Sequence, residues 1–284
     1  MDLTDVTKDT RLCISLSGRP TSIGTRFHNH LYAELGLDFV YKACTTSDIA
    51  AAIAGVRALG IRGCGVSMPF KEAVIPLVDE IEPSARAIGS VNTIVNTDGH
   101  LAASNTDYLA VAHLVAEAVV DQALPFTVIG SGGMAKAVVA ALRDAGFTHG
   151  AVVARNATSG RALADRYGAR WCTEPPPGPL GLLVNATPIG MAGDPQAPAM
   201  PVPGEALDRA AAVMEVVAVP ARTPLVEAAD QRGLTVITGA EIMALQAAEQ
   251  FARYTGVRPT AEQIARATAF SRSTTGTTPA AAAG

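Results

Sequence analysis

The stretch LPFTVIGSGGMAKAVVAAL, residues 124–142, constrains this chain's fold more than any other. An apolar, β-branched run enters a glycine cluster and leaves as an Ala/Val segment with helical spacing, the strand–turn–helix opening of a nucleotide-binding unit. Gly130, Ser131, Gly132, Gly133, Met134 and Ala135 fit G-x-G-x-x-A. The first glycine permits a tight turn, the second lets backbone approach a pyrophosphate, and the small last residue lets helix pack on strand. The following helix N-terminus offers free N–H groups and partial positive charge to that anion. A dinucleotide is therefore expected against residues 130–134.

The end of the next strand selects the cofactor, because an acid there holds the ribose 2′-hydroxyl of NAD and an arginine accommodates the 2′-phosphate of NADP. In VVARNATSG (152–160) that place is taken by Arg155, with Asn156, Thr158 and Ser159 as further donors and no acid at the turn. NADP is the cofactor expected.

Before this unit, periodicity and breakers predict strands at 11–16, 38–43 and 61–66 with helices at 25–35 and near 47–59, an α/β layout. Two alternating runs at 91–104 flank Asp98-Gly99, a dipeptide suited to a hairpin turn, so the first sheet is expected to be mixed. A helix is predicted at 109–120 and further strands at 150–155, 180–186, 211–217 and 234–238, with the Pro/Gly-rich segments 174–179 and 192–204 as loops. From Ala240 the chain returns as helices, expected to brace the first domain. The predicted organisation is a mixed-sheet domain over 1–108 with 240–271 packing back on it, a Rossmann-type domain over 109–239, and a disordered tail at 272–284.

A chain of 284 residues suits two such domains. It is 49% hydrophobic but 17% charged, and no apolar run reaches the roughly 18–20 residues of a membrane span. A net charge of −4 without a basic block speaks against nucleic acid as a partner. Cys13, Cys44, Cys64 and Cys172 lack C-x-x-C spacing, and His28, His30, His100, His113 and His149 lack ligand spacing, so no metal site is expected. The first residues are acidic and polar rather than signal-like, and a cytoplasmic protein with a small-molecule substrate is expected. A homodimer stays open.

VSMPFKE (66–72) places Lys71 just behind Pro69. As a solvated residue in a first helical turn it would sit at a positive helix end, which slightly disfavours a cation. The alternative is a cation held in a pocket for chemistry. Asp107, in SNTDY (104–108), has a similar pair of readings: with Thr106, a candidate helix N-cap, or a partner for Lys71. Hydride transfer from a secondary alcohol also needs a proton to leave oxygen, which a lysine oriented by a carboxylate can handle.

VSMPFK, IGSVNTIVN, NTD, VIGSGGMAKAV, ARN, NATPIGM, PARTPL and ALQAAEQF occur here in the order found in the shikimate dehydrogenase family. From about residue 11 to about 271 the chain resembles that family, and SLSGRPTSIGTRFHNHLY is most similar to its divergent shikimate dehydrogenase-like branch. The resemblance implies a substrate domain and an NADP-binding domain with the active site between them, interconverting 3-dehydroshikimate and shikimate. It implies Lys71 and Asp107 as catalytic, Ser67, Asn92 and Gln246 as substrate contacts, and Thr187, Val216 and Gly239 at the nicotinamide end. A quinate-preferring dehydrogenase, or a nucleotide-binding regulator with vestigial activity, are the alternatives.

The pattern departs from most relatives in three places, one of them Gly65, where they usually carry asparagine. Their Ser-x-Ser-Pro carboxylate grip is missing from GRPTSIGTRFHN (18–29), where Ser22 and Thr25 are the expected hydroxyl substitutes and Arg26 a further candidate. Their Asp-x-x-Tyr before a proline becomes Glu215 and Ala218. Losing two such donors without replacement is worth about 10²–10³-fold in binding; the reaction type is expected to persist, and these residues do not fix the identity of the best substrate.

Overall fold

The computed structural model describes residues 6–118 and 120–273. The chain opens with β1 (Arg11–Leu16), α1 (Ser22–Glu34), β2 (Phe39–Cys44), α2 (Ile49–Ala58) and β3 (Gly63–Val66). The two-residue β4 (Glu80–Ile81) and α3 (Pro83–Ile88) follow, neither anticipated from periodicity because each is so short. Next come β5 (Thr93–Thr97) and β6 (His100–Ser104), joined at Asp98 and Gly99 with φ of 52° and 88°, the left-handed pair a tight hairpin demands. These strands form a sheet of order β2-β1-β3-β5-β6-β4, parallel at β1–β2, β1–β3 and β4–β6 and antiparallel through β3–β5–β6.

α4 (Thr106–Glu117) leads to the second sheet, built from β7 (Phe126–Ile129), α5 (Gly133–Asp144), β8 (Gly150–Val153), α6 (Ala157–Arg166), β9 (Arg170–Cys172), β10 (Gly181–Asn185), β11 (Ala210–Glu215), α7 (Pro224–Asp230) and β12 (Thr235–Ile237). Its order is β12-β11-β10-β7-β8-β9, parallel throughout. The strand order reverses between β7 and β10, so the loops after those two strands flank a crevice, where open α/β sheets bind ligands. The apolar residues of β7 and β10 are almost wholly buried, as expected of strands covered on both faces.

α8 (Gly239–Thr255) and α9 (Ala261–Arg272) return to the first sheet, as expected. Phe251 and Tyr254 of α8 and Ala267 of α9 join Phe27, Leu31, Tyr32 and Tyr41 in one buried cluster. Arg272 closes α9 rather than opening a tail; the rest of the predicted tail, 274–284, lies outside the described residues. No described helix is long and apolar enough to cross a membrane.

His28 lies inside that aromatic cluster, fully buried, its ring stacked on Tyr41 with centroids 4.3 Å apart. Neither ring nitrogen has a hydrogen-bond partner of good geometry among the described residues, and burial lowers its pKa from 6.5 to about 3, with the nearby Gln250 side chain opposing the shift. The folded protein therefore keeps His28 neutral while the unfolded chain takes up a proton below pH 6.5. The stability associated with this group is complete above pH 6.5 and declines as pH falls toward 3, at up to about 1.4 kcal/mol per pH unit. Melting temperatures of the His28→Phe variant and the parent, measured from pH 7.5 to 4.5, should diverge in the variant's favour as pH falls; a constant difference would refute this.

Candidate active site

Three backbone strands converge to align the first half of the site. Val66 N–H donates to Asn92 O at 2.8 Å and Asn92 N–H to Ser104 O at 3.2 Å, bringing the ends of β3 and β6 and the start of β5 to one edge of the sheet. Beyond β3 the chain makes successive turns over residues 68–74, so Lys71 does not start a helix as one reading had it. Nor does Thr106 or Asp107 cap α4. Asn105 does so, accepting from Tyr108 N–H, which leaves the Asp107 carboxylate in the first turn free to face outward. Lys71 Nζ donates to Asp107 Oδ2 at 2.6 Å, with the two side chains 22% and 13% exposed.

The pair lines a cavity of about 340 Å³ together with Ser67, Asn92 and Gln246. Asn92 is buried, and its Oδ1 accepts from Thr106 N–H at 2.8 Å and from Thr93 Oγ1 at 2.8 Å. With its oxygen saturated in this way, its amide N–H₂ is the group left for a ligand. Gln246 Oε1 accepts from Thr106 Oγ1 at 3.4 Å. One helical turn on, the buried Gln250 also lines the cavity, with Nε2 bonded to Asn92 O and Thr93 Oγ1. The i, i+4 spacing from Gln246 was the sequence signal for Gln250. Ser15, Ser17 and Tyr41 complete the floor and had no local signal.

Ser22 and Thr25 do not line this cavity, a correction to the sequence reading. α1 begins at Ser22, three residues earlier than predicted. That register turns Thr25 toward β2, where its Oγ1 accepts from Ala43 N–H at 3.1 Å, and presents Thr21, Ile23 and Gly24 to the cavity. Arg26 is also engaged elsewhere: its Nη2 donates to Phe270 O at 2.7 Å and to Ser273 Oγ at 2.8 Å. Ala218 does line the cavity, with Met134, Val216 and Gly239 along the side belonging to the second sheet. A Cβ on Gly239 would come within 2.4 Å of Val217 O, so only glycine lets α8 start this close to the 216–218 segment.

That segment is held by a buried carboxylate. Glu215 Oε1 accepts from Val217 N–H at 2.9 Å, Oε2 from Thr223 Oγ1 at 2.8 Å, and both oxygens from Asn185 Nδ2. Burial raises the Glu215 pKa above the usual carboxylate value, and these donors oppose the shift. Asn185 Oδ1 in turn accepts from Thr187 N–H and Oγ1, at 3.1 and 2.7 Å. One carboxylate thus sets both loops at the ends of β10 and β11.

On the far side of the glycine loop a second cavity, of about 1060 Å³, is lined by Gly130, Ser131, Gly132, Arg155, Asn156 and Thr187. Gly130 has φ 115°, and a Cβ there would meet Ala186 O at 2.7 Å. At Gly132 and Gly133 a Cβ would meet no protein atom within 4 Å, and α5 starts without a side-chain cap. Open space above unspent helix N–H groups fits a pyrophosphate. Arg155 is exposed on the cavity wall and forms no ion pair among the described residues, which fits a further phosphate. Asn156 caps α6 through Ser159 N–H, and Ser159 Oγ lies 2.8 Å from Ser131 Oγ. These residues suit a dinucleotide carrying a 2′-phosphate.

A mixed-sheet lobe and a doubly wound parallel lobe, with a lysine–carboxylate pair and a glycine loop on opposite sides of the intervening cleft, define the class as a two-lobed dinucleotide-binding oxidoreductase. Residues 19–94 match the model of the shikimate dehydrogenase substrate binding domain. The chain is 51% identical to a shikimate dehydrogenase-like protein of Haemophilus influenzae over 94% of its own length and 98% of that protein's. A solved shikimate 5-dehydrogenase-like structure, also 51% identical, superposes with a TM-score of 0.92 over 94% of this chain and all of the other. A shikimate 5-dehydrogenase of Thermus thermophilus, solved in complex with NADP(H) and shikimate, is 29% identical with a TM-score of 0.81, covering 92% and 99% of the two chains. The chain belongs to the shikimate dehydrogenase family.

Replacing Glu215 by alanine would strand the Val217 N–H and the Thr223 hydroxyl in a buried place. We expect Glu215→Ala to lower stability by about 3 kcal/mol, read from urea unfolding. A loss under about 1 kcal/mol would show that the carboxylate does not hold the segment.

Proposed function

We propose that this protein is an NADP(H)-dependent oxidoreductase that interconverts shikimate, or a similar carboxylated cyclitol, and its 3-dehydro ketone. The observation that carries the reading is the 2.6 Å Lys71–Asp107 pair in a cleft lined on its other side by Met134, Val216 and Gly239. Family membership supports the reaction type, and the cradle at Gly132 with Arg155 beside it supports the cofactor.

When bound, the nicotinamide cofactor supplies the hydride donor or acceptor. The protein's own part is binding, orientation and the proton. Asn92 and Gln246 offer amide groups to ring hydroxyls, and Asp107 Oδ2 holds Lys71 Nζ beside the reacting oxygen. In the reducing direction Lys71 Nζ gives a proton to the ketone oxygen as it becomes a hydroxyl; in the oxidising direction Nζ takes it back. The partial exposure of both side chains lets Lys71 exchange that proton with solvent between turnovers. Retention of both groups favours an enzyme over a regulator that merely binds nucleotide, for which an intact proton-transfer pair has no use.

Lys71→Ala should lower kcat about 10²–10⁴-fold in NADP⁺ reduction with shikimate or quinate, with NADP⁺ affinity by calorimetry nearly unchanged. Turnover equal to the parent's would reject the assignment. Arg155→Ala should reduce the preference for NADP⁺ over NAD⁺ by roughly 10–100-fold, through loss of NADP⁺ affinity alone. Equal loss for both cofactors would count against a 2′-phosphate contact.

A further inference from the structure

The part of the cleft wall formed by α9 contains a cation with two buried N–H-bearing nitrogens that have no partner among the described residues. Thr268, Ser271 and Arg272 of α9 share one helical face by i, i+3, i+4 spacing, and all three line the cavity. Arg272 Nε and Nη2 are both shielded from solvent, and neither has a hydrogen-bond partner among the described residues. The same is true of Thr268 Oγ1. Burying guanidinium N–H groups without acceptors is costly, so an arginine placed this way implies an acceptor that arrives with the ligand. The start of α1 lines the same cavity, and Thr21 makes no side-chain cap there. Among the described residues the only acid lining the cavity is Asp107, already paired with Lys71, whereas Arg19 and Arg272 add positive charge.

The placement is rigidly supported. Arg26 grips Phe270 O and stacks over the Phe270 ring at 4.3 Å, and Arg266 pairs with Glu34 at 2.6 Å, both fixing α9 against α1. Arg26, one sequence candidate for a carboxylate contact, therefore orders the helix that carries Arg272.

We infer that Arg272, with Thr268 beside it, holds the substrate's carboxylate in this protein, in place of the Ser-x-Ser hydroxyls that residues 18–29 lack and the tyrosine that Ala218 replaces. This rests on the proposed reading of the cleft as the site of a carboxylated cyclitol. A planar guanidinium matches a carboxylate through two parallel N–H···O bonds, and a fixed cation discriminates acids from uncharged polyols more sharply than hydroxyls do. The site would then prefer small cyclic hydroxy acids with the carboxylate turned toward α9 and the reacting hydroxyl toward Lys71.

The test compares shikimate with its methyl ester, in the parent and in Arg272→Met, with NADP⁺ present throughout. The parent should favour the acid. Arg272→Met should raise KM for the acid about 10–100-fold with kcat within a few-fold, leave the ester unchanged, and so erase the preference; Arg272→Lys should restore part of it. An acid KM within twofold of the parent's, or equal loss for acid and ester, would overturn the inference. If the parent turns over neither compound, the reaction assignment fails separately, and calorimetry still reads the grip. Acid-selective binding lost in Arg272→Met supports it, and no binding of the acid by the parent overturns it. Should Arg272→Met not fold, Thr268→Val is read the same way, with a several-fold loss confined to the acid as the supporting result and no acid-specific loss as the overturning one.

Discussion

The contact of α8 with the first sheet sets the shape of this molecule. The Tyr254 ring lies where a Cβ on Gly63 would be, 2.4 Å from its nearest atom, so the helix sits against the backbone of β3 itself. That approach carries Gln250 into contact with Asn92 O and Thr93 Oγ1 and brings Gln246 to Thr106. At its other end α8 starts on the backbone of Val216 and Val217 through Gly239. One helix therefore touches the first sheet, the surroundings of Lys71 and Asp107 and the edge of the dinucleotide-binding lobe, and the distance between lobes is fixed by packing rather than by the cleft residues.

Two buried ionisable groups of different kinds support this geometry. Glu215 is satisfied by donors from β10, from its own loop and from the start of α7, so its charge organises the loops that face the cleft. Among the described residues His28 has no such partners, and it stays neutral inside an aromatic cluster, acting as a flat ring against Tyr41. The difference follows from the general rule that a buried charge must be surrounded by hydrogen bonds or be discharged. Arg272 belongs to neither kind, since its Nε and Nη2 are shielded from solvent yet have no acceptor among the described residues.

Much of the site was legible because its signals are local. The glycine loop, the Asp98-Gly99 hairpin and Arg155 at the strand end each depend on a few consecutive residues, whereas Lys71, behind Met68-Pro69-Phe70, and Asp107, in a polar cluster that an N-cap alone explains, each left two readings open. Where the reading failed, a small register error was enough. Starting α1 at Ser22 instead of Thr25 moves each hydroxyl by most of a turn, which puts Thr25 on β2 and Gly24 in the cavity. The capping of α4 by Asn105 rather than by its neighbours is a similar one- or two-residue matter, yet it leaves the Asp107 carboxylate available to Lys71.

The sequence by itself determined the strand–glycine–helix unit, the alternation of strands and helices, and the chemical identity of the groups available, since these follow from backbone preferences and short-range periodicity. Only the tertiary structure decided which of those groups share a cavity: that Ser15, Tyr41 and Gln250 form its floor, and that Arg272, from a stretch that reads locally as a tail, closes its far end. The reason is physical. Contacts such as Arg26 with Phe270 and Gln250 with Asn92 join segments far apart in the chain, and their geometry comes from how whole helices and sheets pack, which no local pattern encodes.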